Sequence, residues 1–122
     1  MKLINHIPDV TNALTGHGPG FVLLNGERIT RSLVVSPEHS LREWAPDFSS
    51  LSENHFEQLL TFKPELVLLG TGSVFRFPRP ALTHSLTNAG IGLEIMDTQA
   101  ACRTYMVLAS EGRRVVAALL IP

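Results

Sequence analysis

The chain is short of the supports that small folds often borrow. It has one cysteine, Cys102, among 122 residues, so no disulfide can form within it, and a reducing compartment, the cytoplasm, is the expected location. No uninterrupted apolar run approaches the roughly 20 residues that span a bilayer. The opening "MKLINHIPDV" lacks the apolar stretch of a signal peptide. Membrane insertion is therefore not expected. An excess of one charge is missing too: ten Lys/Arg against eleven Asp/Glu leave a net charge of −1, which removes the electrostatic ground for a nucleic-acid partner. The five histidines, His6, His17, His39, His55 and His84, are scattered with no H-x-x-x-H pair, and one cysteine is too few for a structural zinc site. Neither a metal nor another cofactor is expected.

What is present is a globular composition, 44% hydrophobic and 17% charged, in a length suited to a single domain over residues 1–122. Charge is uneven along it. Residues 1–62 hold four Lys/Arg against seven Asp/Glu, and residues 63–122 hold six against four. Near the start, Asn25-Gly26 is a strong two-residue hairpin signal. The apolar runs on either side, Phe21–Leu24 and Leu33–Val35, are expected to be its two arms, with a bulge explaining the uneven alternation of the second. "SPEHSLREWAPDFSS" is punctuated by Pro37 and Pro46 and reads as an ordered loop anchored by Trp44. A helix capped by Ser52 follows, with Leu51 and Phe56 spaced as a hydrophobic staple, and Lys63-Pro64 stops it.

From there the pattern alternates. "ELVLLG" is a continuous apolar run, as in a strand covered on both faces. "RPALTHSLTNAG" reads as a second helix with Pro80 in its first turn. "IGLEIM" is the next strand. Asp97 or Thr98 caps "QAACRTYMVLASEG", a third helix ended by Gly112, and "RRVVAALLIP" is a last strand. Strands alternating with helices predict an α/β fold: a mostly parallel central sheet covered on both faces by three helices, with the N-terminal β-hairpin either extending that sheet or forming a separate layer.

In open α/β sheets ligands sit beyond the carboxyl ends of parallel strands. "GTGSVFRFPRP", Gly70 to Pro80, follows one such strand, and the Asp97-Thr98 helix start follows the next. Free N–H groups at a helix start favour an anion, and Arg76 and Arg79 lie close in sequence, so a small anionic ligand is one expectation. The loop is not a nucleotide fingerprint. No third glycine completes G-x-G-x-x-G, and no lysine completes a P-loop. The glycines are equally explained by a sharp turn and close packing, and the phenylalanines and prolines by a stiff, packed loop. Cys102, one turn into the third helix beside Arg103, has the surroundings of an activated thiol, but no His–Asn or His–Asp partner is identifiable by spacing and core packing is the simpler expectation. Glu94 and Asp97 suggest no glycosidase-like pair. "HGPGF", His17 to Phe21, reads as a loop entering a strand, or as part of a hairpin edge open to strand addition.

The segments "LLGTGSVFRFP" and "GIGLEIMDTQAACRTYMVLASEGRRVVAALL" resemble a family of small domains of unknown function. That family includes mitochondrial complex I assembly factor 3, the adipogenesis-associated protein and many short bacterial members. The resemblance runs from about Gly20 to Leu120 and implies a three-layer fold with a mixed sheet. It also implies that no catalytic activity is established and that some members work through protein contacts in respiratory complex assembly. The family's recurring residues fall on Gly70, Thr71, Gly72, Glu94, Thr98, Cys102, Arg103, Thr104 and Tyr105; Met106 replaces a usual asparagine and Gln99 a frequent glycine. The expected function is a non-enzymatic protein-interaction or assembly factor. Its cleft is expected at Gly70, Thr71, Gly72, Arg76, Arg79, Glu94, Thr98, Cys102 and Arg103. The alternative is a small anionic-ligand binder or an enzyme using that cleft.

Overall fold

A computed structural model describes residues 11–122. The reading of "MKLINHIPDV" and of His6 lies outside the described residues. The described residues form eight strands and three α-helices. Strands β1 (Leu14–Gly18), β2 (Phe21–Leu24) and β3 (Glu27–Ile29) form one sheet; β4 (Leu33–Val35), β5 (Ser40–Leu41), β6 (Leu66–Gly70), β7 (Gly92–Met96) and β8 (Val115–Leu119) form another. The helices are α1 (Glu53–Gln58), α2 (His84–Asn88) and α3 (Thr98–Ser110), with 3-10 turns at Leu59–Phe62 and Pro80–Thr83.

The Asn25-Gly26 turn forms as its residues require, both with positive φ, 52° and 85°. The arm after it differs from expectation. A two-residue loop forces Leu24 to face Glu27, so β3 is the second arm and β1 adds a third strand. Leu33–Val35 instead crosses to the larger sheet and pairs antiparallel with β8. All three of its residues are buried, which is why it lacks the alternation of a one-sided hairpin arm.

The larger sheet has the order β5-β4-β8-β6-β7. Only β6·β7 and β6·β8 are parallel; β4·β8 and β4·β5 are antiparallel. The expectation of a mostly parallel sheet is therefore corrected: the sheet is mixed, with an antiparallel side. Helical crossovers announce parallel pairs locally, whereas β4 and β8 sit at opposite ends of the chain and no local pattern marks their pairing.

Alternation along the strands divides the core. Val34, Val67, Leu69, Val116 and Ala118 meet Phe56, Leu59 and Leu86 of the α1/α2 side, together with Trp44. Leu33, Val35, Leu68, Ala117 and Leu119 meet Ala101, Cys102 and Tyr105 of α3, and Leu14, Val22 and Leu24 of the small sheet. Trp44 anchors its loop as expected, donating from Nε1 to the His55 carbonyl at 3.1 Å. Ser52 caps α1, and its N–H is accepted by Nδ1 of His55 at 3.1 Å. Lys63 ends the following turn in the left-handed region, φ 51°. Among the described residues, no helix is long and apolar enough to cross a membrane.

Candidate functional site at the Gly70–Gly72 turn

The turn after β6 is fastened to the start of α3 and to the chain after β8. Thr98 Oγ1, buried, donates to the Leu120 carbonyl at 2.7 Å and accepts the Gly72 N–H at 2.8 Å. The Thr98 N–H returns to the Gly72 carbonyl at 2.9 Å, and the Leu120 N–H reaches the Gly70 carbonyl at 2.9 Å. One hydroxyl thus joins three segments distant in sequence. The expected glycine roles separate here. Gly70 permits close approach: a Cβ there would lie 2.9 Å from Thr98 Cα. Gly72 permits backbone direction, with φ +93°. Thr71 completes the turn, donating from Oγ1 to the Val74 carbonyl at 2.7 Å and accepting the Arg76 N–H at 3.2 Å.

Several backbone N–H groups around the turn and the helix start are already engaged within the chain. Asp97 caps α3, its Oδ1 accepting the Ala100 N–H at 2.9 Å, and Thr98 N–H is taken by Gly72. Beside the turn is a cavity of about 100 Å³ lined by Gly72, Ser73, Thr98 and Gln99 on one side and by Gly18–Phe21 on the other. At ~30 Å³ per liquid water it has room for about three, well below the ~300–1,000 Å³ of ligand pockets. The "HGPGF" stretch, read as a loop entering a strand, is the β1–β2 turn forming that second wall. Its distance of some fifty residues along the chain hid the proximity.

The residues expected at the cleft are spread over several places. Gly70, Thr71, Gly72 and Thr98 come together. Arg76 is exposed and lies over the Phe48 ring at 5.4 Å. Arg79 is exposed just ahead of the Pro80–Thr83 turn. Glu94 is exposed on the outer strand β7, and Arg103 is exposed on α3. Cys102 points into the core at 1% exposure. Burial pushes its thiol up to about 12, only partly opposed by Arg103. Among the described residues, no three His, Cys, Asp or Glu side chains gather as a metal site.

The native protein at pH 8 is expected to leave Cys102 unreacted with a disulfide reagent for as long as it stays folded, whereas the urea-unfolded chain reacts fully. Because the folded value of about 12 lies above the ordinary 9.0, the thiol's contribution to stability is complete below pH 9 and is lost as pH rises toward 12. Rapid labelling of the folded protein contradicts this placement.

The feature that the sequence reading missed is what the turn presents. Val74, Phe75 and Phe77 are 55%, 49% and 71% exposed. Phe75 and Phe77 pack edge to face on each other, centroids 4.8 Å apart, rather than into the body of the protein. The signal was the alternation Phe-Arg-Phe directly after a glycine turn, in which apolar side chains have no sheet to cover.

This frame, two sheets and three helices with the fastened turn at one end, matches known proteins. Residues 14–120 match the model of a family described as a protein of unknown function (DUF498/DUF598). The chain belongs to that family. Relatives include the "13 kDa major membrane protein" of Francisella tularensis, 29% identical over 98 residues, which cover 79% of this chain and 80% of that one. The bovine NADH dehydrogenase [ubiquinone] 1 alpha subcomplex assembly factor 3 is 30% identical over 105 residues, 84% of this chain and 56% of that protein. The chain thus spans little more than half the length of that assembly factor. Among solved structures, a Bordetella pertussis protein described as a Mth938-like domain superposes with a TM-score of 0.84 at 29% identity, covering 99% of this chain and 92% of that one.

Proposed function

We propose that the protein is a non-enzymatic interaction or assembly factor that docks a partner on the Val74–Phe77 loop. The observation that carries this reading is the exposure of Phe75 and Phe77 (49% and 71%) on a turn fastened by Thr98. Large aromatics held in water by a fixed backbone lose little further freedom on binding and bury much apolar area, which is the profile of an interface anchor. Relatives named as an NADH dehydrogenase assembly factor support a role through protein contacts. The place of action is proposed to be the cytoplasm, on the strength of the lone free cysteine.

The double substitution Phe75→Ser/Phe77→Ser is expected to leave stability within about 0.5 kcal/mol of wild type, since neither ring is buried in the body. It is expected to abolish capture of the proteins that immobilised wild type retains from a lysate. An unchanged set of captured proteins, with both proteins folded, rules out the loop as the anchor.

A further inference from the structure

Between Glu65 and Glu94 the chain has no carboxylate side chain, and its two formal cations there are Arg76 and Arg79. Both stand exposed on or beside the loop that carries the phenylalanines. Their backbones are anchored. The Arg76 N–H donates to Thr71 Oγ1 at 3.2 Å. Arg79 follows Pro78, which is buried, and precedes Pro80; its backbone is extended and polyproline-like, φ −63° and ψ 136°. A proline after a residue disfavours the helical region, which stiffens Arg79 and, ahead of Pro78, Phe77 as well.

Both guanidinium groups have donors to give. The ion pairs among the described residues are Arg42–Glu27 and Arg113–Glu65, and neither involves this loop. What Arg76 touches is the Phe48 ring, and Asp47 beside that ring turns its Oδ1 to Ser49 and Ser50. Arginine holds five N–H donors in a planar fork that matches a carboxylate. An apolar knob with an unpaired guanidinium on either side of Phe77 is the complement of an acidic, apolar surface.

We propose that the partner docks as an acidic segment: a stretch of another polypeptide whose apolar side chains cover Phe75 and Phe77 and whose carboxylates pair with Arg76 and Arg79. This inference rests on the reading of the loop as the docking site and names the chemistry of what docks there. An anionic bilayer offers the same two complements, but over an area wider than the protein. With the two arginines set aside the chain carries −3, against −1 as a whole. A bilayer meets that charge too, while two cations near its surface return only about 1 kcal/mol each. A short segment meets the loop alone.

The test is selection of phage-displayed random dodecapeptides on the immobilised full chain, then the affinity of the tightest peptide in solution, with melting recorded for every variant. The wild-type pool is expected to be enriched at least about twofold in Asp and Glu over the library, and that peptide to weaken at least about threefold between about 0.05 M and 0.5 M NaCl. Arg76→Glu/Arg79→Glu keeps both rings and is expected to weaken it at least about tenfold, and Arg76→Gln/Arg79→Gln, which adds no repulsion, at least about threefold. Arg114→Glu, beside the first residue of β8 and so at the opposite end of the sheet, is expected to change it less than about twofold. A wild type that selects no peptides, or a pool without acidic enrichment, overturns the proposal. Indifference to both arginine variants overturns it as well; if Phe75→Ser/Phe77→Ser still abolishes binding, the docking reading stands and only the acidic partner falls. Indifference to Phe75→Ser/Phe77→Ser removes the docking reading itself. Vesicles of equimolar phosphatidylglycerol and phosphatidylcholine are expected to leave the wild type in the supernatant. Sedimentation with them that depends on Phe75 and Phe77 overturns the segment in favour of a membrane surface.

Discussion

Thr98→Val is expected to destabilise the folded chain by about 2–4 kcal/mol, because it strands two buried polar groups at about 1–3 kcal/mol each. The change conserves shape but deletes the one hydroxyl that both donates to the Leu120 carbonyl (2.7 Å) and accepts from the Gly72 N–H (2.8 Å). Thr98 is buried, so both partners lose a hydroxyl held away from bulk solvent. Denaturant unfolding gives the loss directly, and exchange of the Gly72 amide reports where it falls. Thr98→Ser keeps the oxygen and is expected to cost under about 1.5 kcal/mol, the range for loss of a single buried methyl group. A valine variant within about 0.5 kcal/mol of wild type shows that the hydroxyl does not hold the three segments together.

Gly70→Val is expected to be comparably damaging, about 3 kcal/mol, the upper end of the usual penalty for overpacking. Here the obstacle is backbone. The added Cβ would lie 2.9 Å from Thr98 Cα, 3.0 Å from Thr98 Oγ1 and 3.1 Å from Leu119 Cδ2. Thr98 Cα does not yield easily, because Asp97 caps the helix start and Thr98 is bonded to two other segments. At roughly 4 °C per kcal/mol for a domain of this size, the melting temperature is expected to fall by more than about 10 °C. Thr98 and Gly70 serve one contact, so the double variant Gly70→Val/Thr98→Val is expected to lose less than the sum of the two. Simple additivity, or a valine at residue 70 without effect on melting, contradicts the close approach of α3 to β6.

Both variants bear on function through the same loop. The fastened turn holds Phe75 and Phe77 in water on a fixed backbone, and loosening it is expected to weaken partner capture even with both rings intact. The glycines of this turn bring two backbones together at Gly70 and turn the chain at Gly72. Two of the N–H groups beside the turn, those of Gly72 and Ala100, are spent on Thr98 Oγ1 and Asp97 Oδ1.

Local chemistry determined much of this protein from its sequence alone. Asn25-Gly26 dictates a two-residue turn, Ser52 a helix start, Lys63-Pro64 a stop, and the unbroken apolar runs at Leu66–Leu69 and Val115–Leu119 buried strands, because each depends on residues within a few positions of one another. Even Cys102 was legible as core, because a free cysteine with no catalytic partner in reach by spacing is among the most buried residue types. Tertiary structure alone decided the direction of the sheet, since the pairing of β4 with β8 joins residues more than eighty positions apart. It alone set the Gly18–Phe21 turn against Gly72, and placed β7 at the outer edge of the larger sheet among the described residues. A pattern of periods and caps records which way each side chain faces, but not which distant strand lies alongside, because that choice rests on the summed burial of all the strands at once.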